Sequence, residues 1–177
     1  MRSHSDFNIE FIGLKLGEHF FDFDVSEKFF NDFDYFDFTQ TNIKIDVCLV
    51  KKTTILELNI VAKGHVKVNC DLTNEPFNQE ISTSMDLVVK FGSEFNNEDD
   101  EILIIPHGEY KINIAQYIFE LIILSLPAKK IHPGVLDGTL KSEILNILEG
   151  LKPKENKKIV DPRWEKLKEL ITNKENL

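Results

Sequence analysis

Between Ile43 and Phe91 the chain repeatedly alternates apolar and polar residues with a period of two. Ile43, Ile45, Val47 and Leu49 interleave with Lys44, Asp46, Cys48 and Val50, and Leu56, Leu58, Ile60 and Ala62 interleave with Glu57, Asn59, Val61 and Lys63. Further on, Ile81, Thr83, Met85, Leu87, Val89 and Phe91 recur at every second position. Successive side chains of an extended strand point to opposite faces, so each stretch predicts a strand with one face on a core and the other toward water. The short Lys51–Thr54 segment suits a hairpin, which implies antiparallel pairing. Gly64 is expected to bend or bulge the chain before Val66, Val68 and Cys70 resume the alternation. Asp6–Leu14, His19–Val25 and Glu101–Ile105 are further candidate strands.

After Tyr110 the period changes. Ile114, Ile118, Leu121, Ile122 and Ser125 follow helical spacing, Asn113 and Gln116 resemble a capping box, and Pro127 is a stop. A second helix is expected over Thr139–Leu148, ended by Gly150. The polar stretch 151–160 reads as a charged linker. A last helix is expected over 161–177, with Asp161 as N-cap, Pro162 in the first turn and an apolar stripe of Trp164, Leu167, Leu170 and Ile171. The expected class is therefore α+β. An antiparallel sheet, open or partly closed, is formed by the N-terminal two thirds and packed with helices from the C-terminal third. The organisation expected is an α+β core over 1–150, the linker, and the terminal helix docked on the core.

Eight of the fourteen Phe residues fall within Phe20–Phe38, among Asp22, Asp24, Asp32, Asp34 and Asp37. As structure, Phe21, Phe23 and Val25 share a strand face, and Ser26 caps a short helix carrying Phe29, Phe30 and Phe33. As function, the same alternation of acid and aromatic residues is a docking surface for a basic partner. The spacing favours the structural reading.

Charge is unevenly distributed. Residues 1–126 hold 10 Lys and Arg against 22 Asp and Glu, or −12, whereas residues 127–177 carry +3. Phosphate binding needs clustered cations, so an acidic body argues against a broad nucleic-acid surface and fits long-range attraction of a basic protein. The one local cation-rich stretch is Lys152, Lys154, Lys157, Lys158 and Arg163, diluted by Glu155 and Asp161. No run of 18 apolar residues is present, and the opening MRSHSDFNIEF lacks the pattern of a secretory leader, so a cytoplasmic protein is expected.

The five histidines form no HxH or HExxH arrangement, and the two cysteines form no CxxC. Both Cys48 and Cys70 lie in apolar strand candidates and are expected as buried free thiols. No nucleophile elbow or phosphate-cradling glycine loop appears. Glu98, Asp99, Asp100 and Glu101 lack the spacing of a calcium loop and read as a solvated turn. The expectation is no catalytic residue, no metal and no cofactor.

The order of parts in the second half is more specific than any single motif. A strand ending in the cysteine of VKVNCDLTNEPF leads to a long strand, the acidic turn NNEDDE, a strand, a helix ending in Leu126 and Pro127, and finally DPRWEKLKEL. This order, over roughly residues 5–172, resembles the bacterial YceD family of large ribosomal RNA subunit accumulation proteins, with Asp161, Pro162, Arg163, Trp164 and Leu167 as its most recognisable element. Two departures mark a cysteine-poor branch. Typical members carry a Cys-x-x-Cys pair where this chain has Cys70 followed by Asp71, Leu72 and Thr73, and many hold further cysteines where residues 128–160 contain none. A metal-binding role suggested for the family therefore does not transfer.

The resemblance implies a non-catalytic accessory role in accumulation or processing of large-subunit ribosomal RNA. The expected partner is a basic ribosomal protein or an assembling large-subunit particle, with direct RNA contact left open and no membrane partner. Arg163, Trp164, Lys157 and Lys158 are the candidate partner-binding residues; the alternative for Trp164 is burial under a docked helix. The rival functions are a small RNA- or phosphoester-acting enzyme and a protein-interaction module unrelated to ribosomes.

Overall fold

The structure is a computed structural model that describes residues 4–99, 101–140 and 142–151. The chain divides into two units, Met1–Leu140 and Lys141–Leu177. Among its described residues the first unit has a 3-10 turn, His4–Phe7, followed by seven strands and three helices. These are β1 (Asn8–Glu10), β2 (Gly17–Val25), α1 (Glu27–Asn31), β3 (Gln40–Lys51), β4 (Ile55–Asn69), β5 (Pro76–Gly92), β6 (Ile102–Pro106), β7 (Lys111–Asn113), α2 (Ala115–Ser125) and α3 (Pro133–Leu136).

The alternating stretches form the centre of a five-stranded sheet of order β2-β3-β4-β5-β6, while β1 and β7 make a separate antiparallel pair. The sheet is open. It is also mixed, because β6 runs parallel to β5, against the expectation of a wholly antiparallel sheet. A parallel neighbour normally requires a long crossover. Here the chain doubles back after Gly92, and Asn96 exchanges backbone hydrogen bonds with Ile104 on the far edge of β6 (2.9 and 2.8 Å). The short return keeps the sheet mixed without a crossover helix.

One face of this sheet builds the core. Ile43, Ile45, Val47 and Leu49 of β3 lie beside Leu56, Leu58, Ile60 and Ala62 of β4 and Leu87 and Val89 of β5, all of them buried. Burying each such side chain is worth about 1.5–3 kcal/mol relative to leaving it in water, so this face dominates stability. Helix α2 packs on β4 and β5 through Ala115, Ile118, Leu121 and Ile122, and α1 packs on β3. The helices thus do not all come from the C-terminal third.

Gly64 neither bends nor bulges β4. The ladder with β3 runs without a break from Gln40↔Lys67 to Lys51↔Leu56, with Ile43 opposite Gly64. A Cβ at Gly64 would sit 2.1 Å from the Asn42 carbonyl oxygen, and the residue has φ +157°. Glycine is required there for close approach of β3, not for a bend.

Other expectations shift in detail. Asp6–Leu14 supplies only the 3-10 turn and three-residue β1. The N-cap of α2 is Ile114, which makes no side-chain cap bond; Asn113, one residue earlier, accepts from Ala115 N–H (3.1 Å) and the Gln116 amide donates to Glu120 (2.8 Å), so the expected capping box is not made. In the second unit the described helix is α4 (Glu143–Leu151), with the Ser142 carbonyl accepting from Leu145 N–H (3.1 Å). It begins after Thr139 because Thr139 belongs to a turn of the first unit, where its N–H and hydroxyl both bond Asp137 Oδ1 (3.0 and 2.7 Å). Gly150 lies inside α4 and does not end it. The expected linker (from Lys152 on) and terminal helix lie outside the described residues.

The Phe/Asp segment is mostly core. Phe29, Phe30 and Phe38 are buried, Phe33 stacks on Phe119 of α2 (4.4 Å between centroids), and Phe23 meets Phe7 (5.4 Å). Phe20 and Phe36 are the exceptions, 75% and 68% exposed.

Candidate functional site

The second face of the five-stranded sheet has a different composition, and α1 and α2 pack on the other side. Period two sends Glu18, Phe20, Asp22 and Asp24 of β2 to this face, followed across the ladder by Lys44, Asp46, Cys48 and Val50 of β3. Strands β4 and β5 continue it with Glu57, Asn59, Val61 and Lys63, and with Ser82, Ser84, Asp86 and Val88.

Reading across the strands, one row is Phe20, Cys48, Asn59 and Asp86, and the next is Asp22, Asp46, Val61 and Ser84. The centre is apolar: exposed Phe20 beside half-buried Cys48, Val50, Val61 and Val88. Two shallow depressions of ≈ 340 and ≈ 230 Å³ adjoin it, the first lined by Phe20, Asp22, Asp46, Cys48 and Val61, the second by Cys48, Val50, Glu57, Asp86 and Val88. Acids surround that centre. Asp86 accepts from the Asn59 amide (2.7 Å), and Glu57 pairs with Lys52. Asp22 lies directly opposite Asp46, and like charges in that position destabilise a strand pair. Of the cations on the face, Lys44 and Lys63 stand one row away, level with Asp24, and Lys67 and Lys90 lie toward its ends. An apolar patch inside an acidic rim has the form of a docking surface for a cationic, partly apolar partner.

The alternation that marks the strands carries this signal too. Phe20, Val50, Val61 and Val88 fall on positions that should be polar if the outer face were simply wet. Attention to the buried register alone passes over them.

Cys70 occupies a separate, buried setting at the end of β4. Its sulfur accepts the His132 N–H (3.3 Å), and the turn is closed by Asn74 N–H on the Cys70 carbonyl (2.8 Å). Burial pushes the thiol up, but the Thr73 hydroxyl and the N–H groups of His132, Leu72 and Thr73 outweigh it and hold the thiol below its ordinary value. Thr73, itself buried, thus stands in the fourth position of the Cys-x-x-Cys pattern, where its hydroxyl helps hold the thiol down. The His132 ring is also engaged, Nδ1 accepting from Gly134 N–H (2.9 Å) and the ring meeting Phe77 edge-on (5.5 Å). Among the described residues no group of three or more His, Cys, Asp and Glu is placed to hold a metal ion. Cys48, expected as buried, is half-buried on the outer face, because its position falls on the water-facing register of β3.

The acidic turn behaves as a turn: Glu98 N–H donates to Asn96 Oδ1 (2.8 Å) and Glu101 N–H to Asp99 Oδ1 (3.0 Å). A further pocket of ≈ 360 Å³ lies between β6, β7 and the start of α2, lined by Phe95, Leu103, Lys111 and Tyr117 among others. The candidate residues Lys157, Lys158, Arg163 and Trp164 lie outside the described residues. No described helix is long and apolar enough to cross a membrane.

Comparison with known proteins found no match among curated proteins or solved structures. The family model described as "Large ribosomal RNA subunit accumulation protein YceD" matches residues 58–171, from near the start of β4 through the DPRW segment, and the chain belongs to that family.

Proposed function

We propose that this protein is a non-catalytic accessory factor of large-subunit biogenesis that promotes accumulation or processing of large-subunit ribosomal RNA by holding a basic ribosomal protein or an assembling particle. Family membership carries the process. The open sheet face supports the mode: apolar Phe20, Val50, Val61 and Val88 offer area to bury, and Glu18, Asp22, Asp24 and Asp46 attract and orient a cationic partner. The Asp22–Asp46 opposition costs the fold stability, and a bound cation between the two carboxylates turns that cost into affinity. Arg163, Trp164, Lys157 and Lys158 act in this reading as a second contact region, with Arg163 suited to phosphate or carboxylate and Trp164 to an anchoring role.

Sucrose-gradient profiles of a strain lacking the protein test the process. Depleted large subunits and altered precursor RNA are expected, restored by the wild-type chain. Unchanged profiles and unchanged precursor levels contradict the reading.

A further inference from the structure

The five-stranded sheet ends in two very different edges. On β6 the far edge is occupied, since Asn96 pairs with Ile104. At the other end, β2 spans nine residues and pairs with β3 along its full length, Gly17↔Lys51 to Val25↔Ile43. Among the described residues no backbone group bonds its opposite side. Sheets usually blunt such an edge with a proline, a bulge, a lysine or a covering loop. The segment GEHFFDFDV has no proline and no lysine, and its register shows no bulge.

Its side chains discriminate instead. The outer positions are Glu18, Phe20, Asp22 and Asp24, and the inner ones His19, Phe21, Phe23 and Val25. A second copy pairing antiparallel along this edge sets Glu18 against Asp24, or Asp22 against Asp22, in the registers of fullest overlap. Like charges directly opposite disfavour such pairs. An extended strand with Lys or Arg at every second position meets the same acids with opposite charge. Its intervening apolar residues continue the row of Phe21 and Phe23, which are only half-buried.

We infer that the free edge of β2 is a strand-addition site that accepts an extended segment of a basic partner, with cationic residues alternating with apolar ones. Backbone hydrogen bonds supply affinity, and the alternating acids supply selectivity and orientation. The inference rests on the partner-binding reading above and deepens it, by naming the edge and the conformation bound.

The test uses the full chain and a seven-residue peptide of alternating lysine and valine, blocked at both ends. Two twins carry backbone N-methyl groups, one at its lysines and the other at its valines. In a strand pair alternate N–H groups face the partner. One twin is therefore expected to bind at least tenfold more weakly than the parent, and the other within about twofold. Amide exchange should slow at alternate residues of β2. If both twins bind as tightly as the parent and Asp22→Asn with Asp24→Asn still weakens them, strand addition is overturned while docking on the acidic face stands. No binding of any peptide at low salt also overturns strand addition, and the docking reading is then judged by capture of ribosomal proteins from the host.

Discussion

The two faces of the five-stranded sheet are built from the same strands, one residue out of phase, and they are used differently. On the inner face every position of β3 from Ile43 to Leu49 is aliphatic and buried, and helices cover it. The outer face mixes Phe20 and four half-buried apolar residues with acids, two of which stand directly opposite each other. A face shaped only for folding would place cations opposite Asp22 and Asp46. The difference teaches that stability is concentrated on one side of the sheet, leaving the other free to be tuned for a partner.

Substitutions that separate the faces should differ widely in effect. Gly64→Val, which drives a side chain into the Asn42 carbonyl, should have the largest, destabilising by more than about 4 kcal/mol, or preventing folding, by chemical denaturation. Leu58→Ala should cost about 2–5 kcal/mol, as expected where a fully buried aliphatic side chain is removed. Phe20→Ala, on the outer face, should change stability by no more than about 0.5 kcal/mol while weakening partner capture. A loss as large as that of Leu58→Ala would erase the distinction between the faces. Asp46→Asn should be neutral or raise stability by a few tenths of a kcal/mol, because it removes a like-charge opposition.

The cysteines sharpen the contrast further. Native protein should label at Cys48 and resist labelling at Cys70, which becomes accessible on unfolding. The Cys70 thiol is held below the ordinary 9.0, so between its folded value and 9.0 the unfolded chain binds the extra proton. Stability should therefore rise slightly with pH across that interval, and this contribution is lost as pH falls through the folded value. Cys70→Ala should flatten the slope in denaturation curves taken from neutral pH to pH 9.

Much of this architecture was legible from spacing. The period of two located β2 to β5 and the helical period located α2, because each element buries one regular face. The aromatic run Phe20–Phe38 was read as core for the same reason, and most of it is. What spacing cannot encode is the direction of β6, which depends on how the chain folds back after Gly92 and on a backbone exchange at Asn96. Glycine weakens a strand and so points to a bend or bulge at Gly64, yet its role lies in what it faces across the ladder. The candidate face was hidden in plain view, since Phe20, Val61 and Val88 become neighbours only when the register of four strands is known. The tail residues Arg163 and Trp164 drew attention because they form a compact motif, whereas the acidic face is spread over some seventy positions of sequence.

The central claim is that the outer face carries the partner. The direct measurement is RNase-resistant capture of large-subunit ribosomal proteins from the native host by wild type and by a variant combining Phe20→Ser, Asp22→Asn and Asp46→Asn, at two salt concentrations. The account predicts salt-sensitive capture by wild type and at least tenfold less by the variant, with its unfolding midpoint preserved. Equal capture by both proteins would contradict it.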